Sequence, residues 1–251
     1  MALLLLGCDS QKWMNTFVPE EATNNGKTVV ENIRTGNFAP VQAATDPAYQ
    51  SQLNTELLKK LQGLFEGSAV KSTKIVGSHL LKTPTFTRYN ITYEYELNRW
   101  WLIVEIVLQS SNGHLQIEGI HAQQISQSIE QINAFTISRK SPIHMVILGL
   151  AILLPIFVLW SAVICWRTRI PRRKWLWRIF VLFGVTGLTL NWTSGHVQFN
   201  LVQINLFAAG FTKQFFGPVI LQIGVPIGAI LFWIRRGSWL RAQASNIVPP
   251  G

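Results

Sequence analysis

Residues 143–166 read IHMVILGLAILLPIFVLWSAVICW, 24 positions without an acid, a lysine or an arginine. His144 and Cys165 are the only titratable side chains among them. At 1.5 Å per residue, a helix of this length covers the roughly 30 Å hydrocarbon core of a bilayer with some tilt to spare. RTRIPRRKW follows at once and carries Arg167, Arg169, Arg172, Arg173 and Lys174. An apolar stretch closed by a basic stop predicts a transmembrane helix whose C-terminal end is cytoplasmic. The chain is thereby divided into a water-soluble part before this helix and a membrane part after it.

The charge distribution follows the same division. The net charge is +10 over 251 residues, but residues 1–140 hold 12 Lys/Arg against 12 Asp/Glu, and residues 141–251 hold ten Lys/Arg and no acid. Most of those ten lie beside apolar stretches, where membrane orientation explains them better than phosphate binding does. Nucleic acid is therefore not an expected partner. The two cysteines, Cys8 and Cys165, stand far apart and predict no disulfide.

After the first span, hydropathy predicts two more, at 175–192 and 215–234, the latter followed by Arg235 and Arg236. Three spans put the loop 167–174 and the tail 237–251 inside, with the soluble domain and the loop 193–214 outside. Arg139 and Lys140 count mildly against this arrangement. Residues 196–214, which open HVQFNLVQINLFAAGF, are apolar but dotted with Gln198, Asn200, Gln203 and Asn205. A fourth span there would put Arg235 and Arg236 outside, so an interfacial or re-entrant segment is expected. Seven of the ten tryptophans fall in residues 141–251, several at span ends, as an interfacial belt would place them. No acid occurs after Glu130, which speaks against a cation-coupled carrier.

The soluble part, 11–125, changes period midway. Pro19, Glu20 and Glu21 suit a first helical turn, and Gly36 and Asn37 stop that helix. Residues 38–44 suit a short second helix. Leu53, Leu57, Leu58, Leu61, Leu64 and Phe65 repeat at helical spacing over 52–66. From Val70 the period becomes two. Strands are expected at 70–81, 86–97, 100–109 and 115–123, with Asn112-Gly113 as a hairpin turn. Helices followed by long antiparallel strands predict an α+β domain with helices on one face of a curved sheet. Residues 126–141 read as a tether. The fold expected for the whole chain is this α+β domain followed by an all-α membrane region of three helices, over 142–236.

Two resemblances add to this reading. Leu5-Leu6-Gly7-Cys8 resembles a bacterial lipoprotein lipobox within residues 1–10, which implies lipidation of Cys8; the alternative is the stub of an apolar anchor. The Tyr93-x-Tyr95 strand, the Trp100-Trp101 strand, the Asn112-Gly113 turn and the Gly119-x-His121 strand resemble the nuclear transport factor two-like, cone-shaped fold of exported bacterial domains. That resemblance implies a cone opening on an apolar pocket, with Tyr89, Tyr93, Tyr95 and Trp101 as its lining. Catalytic members of the fold hold an acid or histidine inside the cone, where burial shifts its pKa toward neutrality. His79, Glu105, His114, Glu118 and His121 are the candidates here, with Glu105 and His121 foremost. The plainer alternative is a partly solvated Glu105 and a structural His121.

No metal-ligand spacing, phosphate loop or nucleophile elbow is present, so no cofactor and no metal are expected. The function expected is that of a bacterial inner-membrane protein displaying a periplasmic ligand- or protein-binding module. Its partners would be the lipid bilayer, a small apolar ligand, or a periplasmic or membrane protein. The alternatives are a membrane-anchored enzyme acting on an apolar or lipid-like substrate, and an accessory subunit of a transporter or channel.

Overall fold

The computed structural model describes residues 19–65, 68–111, 113–170 and 173–245. Cys8 and the lipobox lie outside the described residues, as do Asn112 and the last six positions. The chain forms two compact units, Met1–Ile132 and Asn133–Gly251.

Unit 1 begins with α1 (Glu20–Thr35), α2 (Phe38–Ala43) and α3 (Thr55–Gly63). Glu20 and Glu21 stand in the first turn of α1, where the helix dipole favours acids, and Gly36 closes the helix at a φ of 77°. Ala22, Val29, Val30 and Ile33 form its buried stripe. Asn54 caps α3 by accepting the backbone N–H of Leu57 at 2.9 Å. Four strands follow as an antiparallel meander: β1 (Ser72–Lys82), β2 (Thr87–Glu96), β3 (Trp101–Ser111) and β4 (His114–Ile125). Gly113, at a φ of 80°, turns β3 into β4. The register sets Tyr89, Ile91, Tyr93 and Tyr95 against Leu108, Ile106, Val104 and Leu102. These rows share one core with the apolar stripes of α1 and α3. A fully buried Leu or Ile contributes about 1.5–3 kcal/mol, so this face sustains the unit. The short helix α4 (Ile129–Ile132) ends it.

Unit 2 overturns the expected membrane architecture. It contains α5 (Pro142–Arg167), α6 (Lys174–Phe180), β5 (Phe183–Asn191), β6 (Val197–Leu206), β7 (Ala209–Lys213), β8 (Val219–Val225) and α7 (Ile227–Ser245). Among the described residues only α5 is long and apolar enough to cross a membrane. The window 175–192, expected as a second span, is α6 followed by β5. The window 215–234, expected as a third, is β8 followed by the first part of α7. The supposed re-entrant segment, 196–214, is β6 followed by β7. The strands form a second antiparallel sheet in the order β6-β5-β8-β7. The chain as a whole is thus α+β with two antiparallel sheets, and no three-helix membrane region follows the first domain.

The reason lies in local chemistry. FGVTGLTLN in β5 carries two glycines and two threonines, which weaken a helix. Pro226 stands just before α7 and cannot continue a helix back into β8. Window hydropathy registers none of this. Although consecutive in the chain, β6 and β7 lie at opposite edges of the sheet, joined by Phe207 and Ala208 with φ of 58° and 56°. Helix α5 runs alongside both remaining elements in turn. Ile147 packs with Leu190, Val219 and Leu221, whereas Val158 and Cys165 pack with Ala229 and Phe232.

Candidate functional site

The expected pocket of unit 1 separates into two faces. Tyr93 is fully buried and donates its hydroxyl to the Thr23 carbonyl at 2.8 Å. Tyr95 packs edge-on to Phe65 at 5.8 Å. Burial pushes both phenols above their ordinary pKa; for Tyr95, the Tyr93 and Glu31 charges add to the effect. Tyr89 lies on the same face, half-buried at its margin. Trp101 pairs with Glu96 and faces the other way, so it does not join the tyrosines. Under the helices the tyrosine face is occupied by helix α1, with the Tyr93 hydroxyl in the space left by Gly26.

Glu105 and His121 are directly opposite each other on β3 and β4, and Thr92 flanks Glu105 on β2. They stand on the face away from the helices, Glu105 half-buried and His121 exposed. The sheet therefore brings the two candidates together but holds them outside the core. A further candidate, Glu118, is held in an ion pair. Arg88 holds both oxygens of Glu118, at 2.9 Å and 2.5 Å, and its guanidinium pKa is raised chiefly by that hydrogen bond. Glu94, almost fully buried, accepts the backbone N–H of Ile129 at 2.6 Å and secures α4. These are structural anchors. Among the described residues no three His, Cys, Asp or Glu side chains converge as a metal site would require.

The more distinctive surface belongs to unit 2. Only 22% of the most apolar stretch of α5 is buried, whereas a core helix of a soluble protein would be mostly covered. Val146, Leu153, Ile156 and Leu159 project from it, each at least half exposed. On the sheet, Leu201 and Val202 protrude at 75% and 92% exposure. They do so because β6 bulges: Val185 pairs with Ile204, and Gly187 with Asn200. At the far end of α5, Arg235 lies over the Trp177 ring at 5.7 Å and Arg236 over Trp233 at 5.0 Å. These cations rest on aromatic faces in a half of the chain that has no carboxylate side chain.

Trp192 does not serve the interfacial belt expected of it. It is fully buried and organises the opposite end of the unit. Phe135 stacks on it at 4.5 Å, and its indole N–H donates to the Thr136 carbonyl at 2.9 Å. Lys140 donates to its carbonyl at 2.7 Å. Residues 133–140, within the stretch read as tether, thus touch the Trp192 end of unit 2 while staying largely exposed. Trp166 and Trp175, at the basic end, are well exposed.

Between α5 and strands β7 and β8 runs an apolar groove of about 650 Å³. Leu148, Ala151, Ile152 and Pro155 form one wall, and Ala209 and Phe211 stand opposite.

The sequence matches no protein-family model and no curated protein. The resemblance to the nuclear transport factor two-like family thus finds no support from any family model, and the three-span region joined to it is replaced by a sheet. That assignment is withdrawn.

Proposed function

We propose that this chain is a membrane-anchored protein, held by α5, that presents unit 1 as a binding or interaction module on the side opposite its basic end. The observation that carries the reading is α5 itself. It has 26 residues and an apolar surface left uncovered along most of its length, and it ends in Arg167 with Arg169, Arg173 and Lys174 beyond. A basic flank on one side orients the helix with that flank in the cytoplasm. In a bacterium this is the inner membrane, with unit 1 in the periplasm. Anionic headgroups suit the arginine–tryptophan pairs of that end, each cation near the surface being worth about 1 kcal/mol. The positions of Glu105 and His121 give an enzymatic role no specific support, so binding is the reading favoured. Its ligand would be a protein surface or a small apolar molecule.

Labelling of introduced cysteines in intact cells tests this, in a chain whose Cys8 and Cys165 are replaced by serine. A membrane-impermeant maleimide should modify His114→Cys in unit 1 without cell lysis, and Ser238→Cys in α7 only after it. The reverse pattern, or recovery of the chain in the soluble fraction after carbonate washing, sinks the proposal.

A further inference from the structure

We infer that β6 is an interface: it pairs antiparallel with the β6 of a second copy of this chain, joining the two sheets into one. This stands apart from the membrane reading above, because an open strand edge needs a partner in water and in hydrocarbon alike.

The four edge strands of the two sheets are not alike. β1 carries Lys74 and Lys82, β4 carries Glu118, and β7 has only five residues, ending in Lys213. Charge and shortness are the usual protections of an edge. β6, VQFNLVQINL, has ten residues and no charge, proline or glycine. Phe199, Leu201, Val202, Ile204 and Leu206 along it are each at least half exposed.

The sequence of β6 selects a second copy as the occupant. Read from either end, apolar and amide residues alternate inward and meet at Leu201-Val202. An antiparallel pair centred there sets Phe199 opposite the partner's Ile204 and Val197 opposite the partner's Leu206. It also sets Gln198 opposite the partner's Asn205 and Asn200 opposite the partner's Gln203. Apolar side chains then meet apolar ones, and amides, each with donors and an acceptor, meet amides.

In a regular strand this register would fail. Residues 199 and 204 would project from opposite faces, whereas a two-fold axis normal to the sheet needs paired residues on one face. The bulge removes the conflict. Across it Asn200 donates to Gln203 at 3.1 Å, and Gln203 donates to Asn205 at 3.1 Å, so residues three apart share a face. The backbone agrees. The Asn191 N–H donates to the His196 carbonyl at 2.9 Å, and the Phe207 N–H donates to the Leu182 carbonyl at 2.7 Å. Counting by twos from His196 and from Phe207, residues Gln198, Asn200 and Asn205 turn their backbone groups toward β5. Val197, Phe199, Ile204 and Leu206 turn theirs outward, and these are the rows that the two-fold register sets against each other.

The test uses full-length chains whose Cys8 and Cys165 are replaced by serine. One carries Phe199→Cys, the other Ile204→Cys, each with its own affinity tag, and the two are co-expressed and purified in detergent. A hydrogen-bonded antiparallel pair holds its Cα atoms about 5.5 Å apart, within disulfide range. Each of these residues lies five positions, roughly 17 Å, from the same residue of the partner. Mild oxidation should therefore link the two variants to each other about tenfold more than either to itself. Val202→Lys puts a charge beside the axis, on a side chain 92% exposed in the single chain. The protein mass in detergent, measured by light scattering, should then fall from that of two chains to that of one. Equal linking of like and unlike variants would overturn the proposal. So would a single-chain mass for the unmodified protein, or a two-chain mass that survives Val202→Lys. A disulfide from Ile204→Cys to a different protein, in place of a second copy, would overturn it too.

Discussion

Tyr93 and Gly26 show how tightly unit 1 is fitted at single positions. The tyrosine crosses from β2 to α1, and its hydroxyl ends against the Gly26 backbone while donating to Thr23. A methyl group on residue 26 would collide with that hydroxyl. Alanine favours an exposed helix interior over glycine by about 1 kcal/mol, but here the collision should win. Gly26→Ala is expected to lower the stability of unit 1 by about 1–3 kcal/mol. Tyr93→Phe loses one net hydrogen bond, about 0.5–1.5 kcal/mol, because the Thr23 carbonyl keeps its helical partner. The double variant should be more stable than the sum of the two losses implies, since removing the hydroxyl makes room for the methyl. Thermal or denaturant unfolding of the four proteins measures this coupling. Strict additivity would show that the two positions do not meet.

At the scale of elements, the second sheet is held by an amide network rather than by charge. Asn200 donates to Thr189 at 3.0 Å and to Gln203 at 3.1 Å, and Gln203 donates to Gln222 at 3.0 Å and to Asn205 at 3.1 Å. Gln203 on β6 reaches Gln222 on β8 across the intervening β5, because residue 187 is glycine; a Cβ there would lie 2.6 Å from the Gln203 Oε1. Gly187→Ala should break this crossing and cost about 1 kcal/mol, the usual net worth of a hydrogen bond, since the amides are half-buried. Gln203→Ala together with Gly187→Ala should recover part of that loss, read from the melting temperature in detergent. The same network explains what the sequence could and could not show. In unit 1 the tyrosines of β2 alternate at period two and the leucines of α3 at helical spacing, so their faces are legible from residue order alone. In β6 the amides also alternate, Gln198 with Asn200 and Gln203 with Asn205, but Asn200 and Gln203 are three residues apart across the bulge, so the alternation loses phase between them. A strand signal interrupted in this way, inside an apolar stretch, resembles a polar-dotted membrane segment. In β5 and β8 nearly every residue other than Gly, Thr and Gln is apolar, and a buried strand cannot be told from part of a span by hydropathy. The partly solvated face of Glu105 was legible from the alternation of β3, but its pairing with His121 was not, because the extra residue Glu118 between Ile117 and Gly119 shifts the register of β4 beside them.

For the whole molecule, the decisive question is which solvent α5 meets, and one substitution separates the answers. Leu153 lies near the middle of the helix, 62% exposed and outside both the groove and the two cores of unit 2. If α5 stood in water, Leu153→Lys would change stability by no more than about 0.5 kcal/mol, as surface substitutions usually do. At the centre of a bilayer the same change moves from a favourable to a strongly unfavourable insertion term, a difference of about 3–4 kcal/mol. Lys, unlike Leu, must then reach for a headgroup layer more than two helical turns away in either direction. The fraction of the chain retained in carbonate-washed membranes should therefore fall sharply for Leu153→Lys. It should be unaffected by Ser238→Lys, which adds a charge to the basic end. Equal behaviour of the two variants, with the Leu153→Lys protein more soluble and correctly folded, would mean that the apolar face of α5 is covered by protein and not by lipid. The anchor and its orientation would then have to be abandoned together, because both depend on hydrocarbon surrounding that helix.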